Sequence, residues 1–171
     1  MERAGLEEFL EFSVVVTGFS RVDLLGTGVA HEYYDAARAA AGEAILDRML
    51  AQFASLKEQH SGLDALEDAV QAAFWKDAVL GPVAQNIVQM WYLGQWNQLP
   101  DTWRAANGAN AADVTRVVSA AAYMEGLVWR AADTHPQGAK QPGHGTWSFP
   151  PVQIATDTGK RAQAAKAGRV K

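Results

Sequence analysis

Four histidines, His31, His60, His135 and His144, are the first candidates for acid–base or metal chemistry in this sequence. A zincin-type zinc site needs a second histidine four residues after the first, on the same helical face, but position 35 is Asp35. His135 and His144 flank a loop, where no neighbouring carboxylate completes a ligand set. We therefore interpret the histidines as surface residues and predict no metal site.

Other residues able to carry chemistry do not form a recognisable motif. The chain has no cysteine, so it holds no thiolate nucleophile, no disulfide and no cysteine-bound zinc or iron–sulfur cluster. Gly26-Thr27-Gly28 lacks the third glycine and the preceding strand of a dinucleotide-binding fingerprint. We predict no catalytic residue and no cofactor-binding residue. One alternative stays open, a stand-alone ligand-binding protein or small enzyme with a pocket near His31 and Tyr33.

Composition and charge narrow the class of protein. With 171 residues, 49% of them hydrophobic, the chain is long enough for one globular domain with a core. Its net charge of −4 argues against nucleic-acid binding. The charge is uneven, because residues 152–171 hold five basic side chains and only Asp157 as an acid. Since no run of eighteen apolar residues occurs, we expect no membrane span.

The apolar periodicity predicts an all-α fold, a single-domain helical bundle with an irregular C-terminal arm rich in glycine, proline and aromatic residues. Helices are predicted over 7–16, 23–40, 44–56, 63–75, 83–98 and 113–131. Asp23 is the predicted N-cap of the second helix. The domain should cover residues 1–155, arm included, and residues 156–171 should form a basic, disordered tail.

The predicted helix 83–98 carries apolar residues on two sides. One stripe contains Val83, Ile87, Met90, Trp91 and Gly94, and Val88, Tyr92 and Trp96 lie nearly opposite. Such a helix is either central in its own domain or placed between its domain and a partner. In the helix predicted over 113–131, Glu125 projects into an apolar face, so it needs a hydrogen-bond or ionic partner or an exposed interface.

The arm from His135 onward combines many glycines and prolines with two large aromatic residues. Trp147 and Phe149 lie in this run, which closes on Pro150 and Pro151. Prolines fix an extended path, and a tryptophan offers a large apolar area for contact. We therefore expect an ordered arm that docks on another surface, either this domain's own core or a partner.

Several stretches, taken in order, resemble a known family. They are Val16-Thr17-Gly18-Phe19, Trp91-Tyr92-Leu93-Gly94-Gln95-Trp96, Tyr123-Met124-Glu125-Gly126-Leu127-Val128-Trp129, and the closing Pro142-Gly143 and Trp147-Ser148-Phe149-Pro150-Pro151. This order resembles the small subunit of bacterial FAD-dependent sugar and polyol dehydrogenases, such as sorbitol, fructose and glucose dehydrogenases. The resemblance covers about Phe9 to Pro151.

The resemblance implies a protein without chemistry of its own. Small subunits of this family bind a large flavoprotein that carries FAD and often an iron–sulfur cluster, and a cytochrome subunit commonly takes the electrons onward. They support the folding, stability and often the export of that partner. The residues expected at the interface are Trp91, Tyr92, Trp96, Glu125, Trp147, Phe149, Pro150 and Pro151. A small adaptor with an unrelated partner is a further alternative.

Two features depart from the family pattern. Relatives often have a cysteine shortly before the Pro-Gly of the arm, where this chain has residues 135–141 and no cysteine. Many relatives carry a twin-arginine signal for export to the periplasm, and none precedes Met1. We expect a periplasmic location, or the periplasmic face of the inner membrane, if a leader was removed, and a cytoplasmic one otherwise.

Overall fold

Helices form most of the structure, which is a computed structural model that describes residues 2–136, 138 and 139. The described residues belong to one compact unit, Met1–Lys140. The predicted arm residues Trp147, Phe149, Pro150 and Pro151, and the boundary placed between 155 and 156, lie outside the described residues. The predicted all-α class is confirmed.

The elements follow one another with short connections. The helices are α1 (Glu2–Thr17), α2 (Arg21–Gly26), α3 (Ala30–Ala41), α4 (Glu43–Gln59), α5 (Leu63–Phe74), α6 (Leu80–Leu93), α7 (Asp101–Asn107), α8 (Ala120–Met124) and α9 (Leu127–Ala131). Two short strands, β1 (Gln95–Trp96) and β2 (Arg116–Val117), pair antiparallel, with Gln95 opposite Val117 and Trp96 opposite Arg116.

The core lies between α1, α3, α4 and α6 and is rich in aromatic rings. Phe12 meets the rings of Phe53 and Phe74 edge to face, with centroids 5.4 and 5.5 Å away. Tyr33 meets Trp91 in the same way at 4.8 Å. Such edge-to-face pairs add to the free energy gained by burying the rings. The core therefore joins helices that are distant in the sequence.

The helix predicted over 23–40 is two helices. Ser20, not Asp23, is the N-cap of α2, and Asp23 completes a capping box by accepting from the Ser20 backbone amide. Gly28 lies in the left-handed region at φ 72° and separates α2 from α3. Tyr33, Ala36 and Ala40 of α3 are buried, but Leu25 is 51% exposed on α2. A local cap and a turn thus replaced the continuous helix.

The helix predicted over 83–98 ends earlier, at Leu93. Gly94 adopts the left-handed conformation at φ 69° and its amide donates to the Met90 carbonyl at 2.8 Å, which is a common helix C-cap. The predicted core stripe from Val83 to Gly94 is buried throughout and is confirmed. Trp96 lies on β1 instead of the helix, so its assignment to a second helical face was wrong.

The single helix predicted over 113–131 is also wrong: residues 113–119 are not helical, and the second half is two short helices, α8 and α9. Residues 113–119 contain β2 and turns, and Ser119 caps α8 by accepting from the Ala122 amide. Val117, expected on a buried helical face, is 49% exposed on the strand. The pairing of β2 with β1 outweighs the helical periodicity of the local sequence.

Candidate partner-binding groove

Three segments that are far apart in the sequence meet around Tyr92. The Tyr92 hydroxyl donates to the Thr17 carbonyl at 2.9 Å, and its ring contacts Phe19 edge to face with centroids 6.0 Å apart. The Arg130 guanidinium lies over the Phe19 ring, with its Cζ 5.6 Å from the ring centroid. We call this cluster of Thr17, Phe19, Tyr92 and Arg130 the junction.

Two glycines let the backbone segments of the junction approach closely. A Cβ at Gly94 would lie 2.5 Å from the Ala122 carbonyl carbon, and one at Gly126 would lie 2.8 Å from the Tyr92 carbonyl oxygen. The Gly94 carbonyl also accepts from the Val118 amide at 2.9 Å. The end of α6 is thereby held against the start and the end of α8.

A groove opens beside the junction, between α2 and the α8–α9 segment. We call it the α2–α9 groove; its volume is about 290 Å³, and its lining includes Val22, Asp23, Met124, Glu125, Trp129, Arg130, Thr134, His135 and Pro136. Val22 is 78% exposed at its edge, and Leu25 on the same helix is 51% exposed. Trp129 is fixed by a 2.7 Å hydrogen bond from its indole nitrogen to the Tyr123 carbonyl. The groove therefore offers apolar surface on a well-held scaffold.

The charges at this groove are engaged in structural contacts. Asp23 Oδ1 accepts from Arg130 at 2.7 Å, which ties α2 to α9. Its hydrogen bond with the Ser20 hydroxyl, followed by the bond with Arg130, holds the pKa of the Asp23 carboxyl below its ordinary value. Glu125 is half-buried in the groove lining. Asp23 is therefore ionised, and its ion pair with Arg130 holds α2 against α9.

The structure divides the predicted interface residues. Tyr92 is half-buried at the junction and Glu125 lines the groove, so these two lie at one place on the surface. Trp91 and Trp96 are both fully buried within the chain's own core. Their side chains have no surface for a partner in this structure, which corrects their placement at an interface. The other four predicted residues lie outside the described part of the chain.

Trp96 is fully buried, and its indole nitrogen belongs to a polar network that the sequence did not predict. Its indole nitrogen donates to Asp113 Oδ1 at 3.0 Å, and the Leu99 amide donates to the same oxygen at 3.0 Å. Arg104 Nε forms an ion pair with Asp113 Oδ2 at 3.1 Å, although the pair is not aligned as a hydrogen bond. Asp113 is fully buried, so these partners offset its loss of hydration.

His31 and Tyr33 do not share a pocket. His31 is exposed and pairs with Asp35 at 2.9 Å on the surface of α3. Tyr33 is fully buried, and burial, followed by the negative charges of Glu32 and Glu125, raises the pKa of its hydroxyl far above the ordinary value. A tyrosine of this kind stays protonated and out of contact with solvent. A groove beside the same helix is lined by Glu32, Asp35, Ala36, Ala39, Arg116 and Val118, and neither His31 nor Tyr33 is among its lining residues.

Sequence reasoning missed several groove residues. Val22 and Arg130 carried no signal of their own, because their role depends on α2 and α9 coming together. Phe19 was part of a stretch that carries the family resemblance, but nothing in that stretch gave its contact with Tyr92. The one available signal was the Ser20-x-x-Asp23 capping box, which marks the true start of α2.

Within residues 2–136, 138 and 139, no group of three or more His, Asp or Glu side chains is arranged to hold a metal ion. In the same residues, no helix combines the length and the apolar character that crossing a membrane requires. Comparison with protein-family models, curated proteins and solved structures gives no match for this chain. Its function must therefore be argued from the residues and their geometry.

Proposed function

We propose that this chain is the non-catalytic small subunit of an FAD-dependent sugar or polyol dehydrogenase, and that it binds and stabilises the large flavoprotein subunit. In this proposal the FAD, and an iron–sulfur cluster where one is present, belong to the large subunit, and a cytochrome subunit accepts the electrons. A role in export of the complex to the periplasm is part of the same proposal. The α2–α9 groove and the junction form the binding face.

One observation carries the proposal. Three of the stretches that give the family resemblance, around Phe19, Tyr92 and Glu125, meet at the junction and its groove. Residues that are separated by more than a hundred positions in the sequence therefore build one surface. The partly exposed members of these stretches, among them Phe19, Tyr92 and Glu125, lie there together, and a surface built from several such stretches suits a binding face.

Exposed apolar side chains give this face a reason to bind. Val22 and Leu25 lie beside the groove, and Leu93, next to Tyr92, is 48% exposed. Apolar area removed from water contributes about 25 cal/mol per Å², so covering these side chains favours association. Asp23 and Arg130 at this face already pair with each other, so a partner need not supply a counter-charge to either.

The first test is co-purification. The proposal predicts that the neighbouring reading frame encodes a large flavoprotein with a Gly-x-Gly-x-x-Gly start, and that the tagged chain co-purifies with it in a yellow complex. The isolated chain should be colourless and without dehydrogenase activity. A stoichiometric flavin absorbance in the isolated chain, or no association with that flavoprotein, refutes the proposed function.

A matched pair of variants tests the binding face. Val22→Asp puts a charge at the groove edge, in the first turn of α2, where an acidic residue suits the helix dipole and should leave the helix intact. Val114→Asp places the same charge on an exposed valine that does not line the groove. We expect Val22→Asp to weaken the complex about tenfold or more and Val114→Asp to change it little, as measured by surface plasmon resonance. Equal effects of the two variants would place the interface elsewhere.

The arm contributes to the same proposal from outside the described residues. Trp147 remains a predicted anchor, because tryptophan is enriched among residues that dominate binding energy. Trp147→Ala should weaken the complex while the far-ultraviolet circular dichroism of the chain stays unchanged. Loss of the helical signal together with binding would assign Trp147 to the folding of this chain instead.

A further inference from the structure

A second groove lies between the C-terminal end of α1 and α5. We call it the α1–α5 groove; its volume is about 370 Å³. Apolar side chains and two carboxylates line it: Val15, Val16, Val70, Trp75, Glu67 and Asp68. Trp75 is 37% exposed, which is a large apolar area for one surface residue. A groove that combines polar side chains with an exposed tryptophan is suited to contact with another chain.

The negative charge of this groove has no counterpart in the described part of the chain. Within residues 2–136, 138 and 139, no ion pair involves Asp64, Glu67 or Asp68, the three acidic residues of α5. The C-terminal end of α1 adds the negative pole of a helix dipole, and the last turn of that helix contains no basic residue.

The acidic side chains of Glu7, Glu8 and Glu11 on α1, unlike those of α5, form ion pairs among the described residues. Lys57 pairs with Glu8 at 2.6 Å and with Glu11 at 2.5 Å, and Arg21 pairs with Glu7 at 2.5 Å. Two cations thus pair with three carboxylates along α1, whereas Glu67 and Asp68 at the groove form no ion pair within the described residues. A basic occupant would supply the missing charge, and its apolar side chains would cover Trp75.

The two grooves are linked by direct contacts. Thr17 lines the α1–α5 groove and accepts from the Tyr92 hydroxyl. Tyr92 contacts Phe19, and Phe19 lies under Arg130, which lines the α2–α9 groove. A partner that covers the junction is therefore within reach of both grooves.

We propose that the α1–α5 groove binds a basic, apolar segment of the large subunit, one that presents Lys or Arg to Glu67 and Asp68 and an apolar side chain to Trp75. This inference rests on the proposed function and adds the chemistry of a second contact. Since the two carboxylates lie on the surface, their effect should be strongest on the association rate and should fall with added salt.

Charge variants in the complete chain test the inference. In the double variant Glu67→Lys with Asp68→Lys, we expect the association rate with the large subunit to fall roughly tenfold at low salt. The neutral double variant Glu67→Gln with Asp68→Asn should lose less and should flatten the dependence of the rate on ionic strength. Glu58→Lys is the control, because Glu58 is an exposed acidic residue that does not line the groove.

The outcomes separate this inference from the proposed function. If the wild-type chain binds the large subunit and the double lysine variant binds at the same rate as Glu58→Lys, the inference is wrong and the proposed function stands. If the wild-type chain does not bind, both fail. If sedimentation shows a wild-type dimer that the lysine variant abolishes, the groove binds a second copy of this chain and the inference is overturned. Circular dichroism of each variant checks that the helices are intact.

Discussion

The close contact at Gly94 makes a prediction whose size follows from the geometry. Gly94 sits in the left-handed region at φ 69°, and a Cβ there would lie 2.5 Å from the Ala122 carbonyl carbon and 2.8 Å from the Tyr123 amide nitrogen. Both atoms belong to the backbone, so they cannot turn away as a side chain could. Gly94→Ala must therefore strain its own conformation and also separate α6 from α8.

A second glycine isolates the first of these two costs. Gly28 has nearly the same φ, 72°, but no atom lies within 4 Å of its would-be Cβ. Gly28→Ala should lose only the free energy that the left-handed conformation costs a non-glycine residue, about 1–2 kcal/mol. Gly94→Ala should lose the same amount of unfolding free energy and, through overpacking, about 1–3 kcal/mol more. We expect total losses of about 1–2 kcal/mol for Gly28→Ala and about 2–5 kcal/mol for Gly94→Ala.

Urea unfolding followed by circular dichroism measures both losses. The slopes of the two variants should match that of the wild type, so that the midpoints report stability alone. A Gly94→Ala variant that is no less stable than Gly28→Ala would mean that the α6 terminus and α8 do not approach closely. The junction as described here would then be wrong.

Two further predictions concern buried or capping carboxylates. Asp113→Ala removes the buried partner of Arg104 and should cost about 3 kcal/mol of unfolding free energy in urea, whereas Asp101→Ala, whose side chain is 92% exposed beside the same arginine, should cost under about 1 kcal/mol. The hydrogen bond from the Leu80 amide lowers the pKa of the Asp77 carboxyl in the folded protein. The ionised carboxylate therefore stabilises the fold at pH values above the unfolded-state pKa of about 3.9. This stabilisation is lost as the pH falls through the lower pKa of the folded state. The stability difference between wild type and Asp77→Asn should therefore be smaller at pH 3 than at pH 7.

The sequence predicts helices well where apolar residues recur with helical spacing and no distant partner intervenes. Every member of the α6 stripe, from Val83 to Gly94, is buried as expected. Gly18 and Gly42 follow the ends of α1 and α3, and each adopts a positive φ there, which glycine does at little cost. These features depend on local conformation and on one apolar face, both of which a sequence displays directly.

Prediction failed where an element is defined by a contact with a distant segment. Residues 113–119 have apolar spacing that fits a helix, but β2 pairs with a strand twenty residues earlier. Trp96 was expected at an interface, but it is fully buried and its indole nitrogen donates to Asp113, the residue at which the last helix was predicted to begin. The amino-acid sequence alone does not show which carboxylate will accept the hydrogen bond of a given indole.

The same limit applies to the candidate site. Tyr92 and Glu125 were both predicted at a partner interface, and they lie at the junction and at the groove beside it. Val22 was not expected there, because a continuous helix over 23–40 left no reason for a separate α2. The capping box at Ser20 and the left-handed Gly28 together create that short helix, on which Val22 and Leu25 are exposed and Leu24 is buried.

The proposed binding role agrees with the chemical state of the groups around the junction. Asp23 has a lowered pKa and is held by Arg130, so it is a poor proton donor or acceptor at neutral pH. Tyr33 has a raised pKa and no access to solvent, so it does not ionise there. What these groups leave at the surface is apolar area, above all Val22 with 78% of its surface in water. A ligand of a few atoms would cover little of it, whereas a subunit that lies across both grooves would remove Val22, Leu25 and Trp75 from water together. Because each of these side chains gains on the order of 1 kcal/mol or more when buried, the face is better suited to a protein partner than to a substrate.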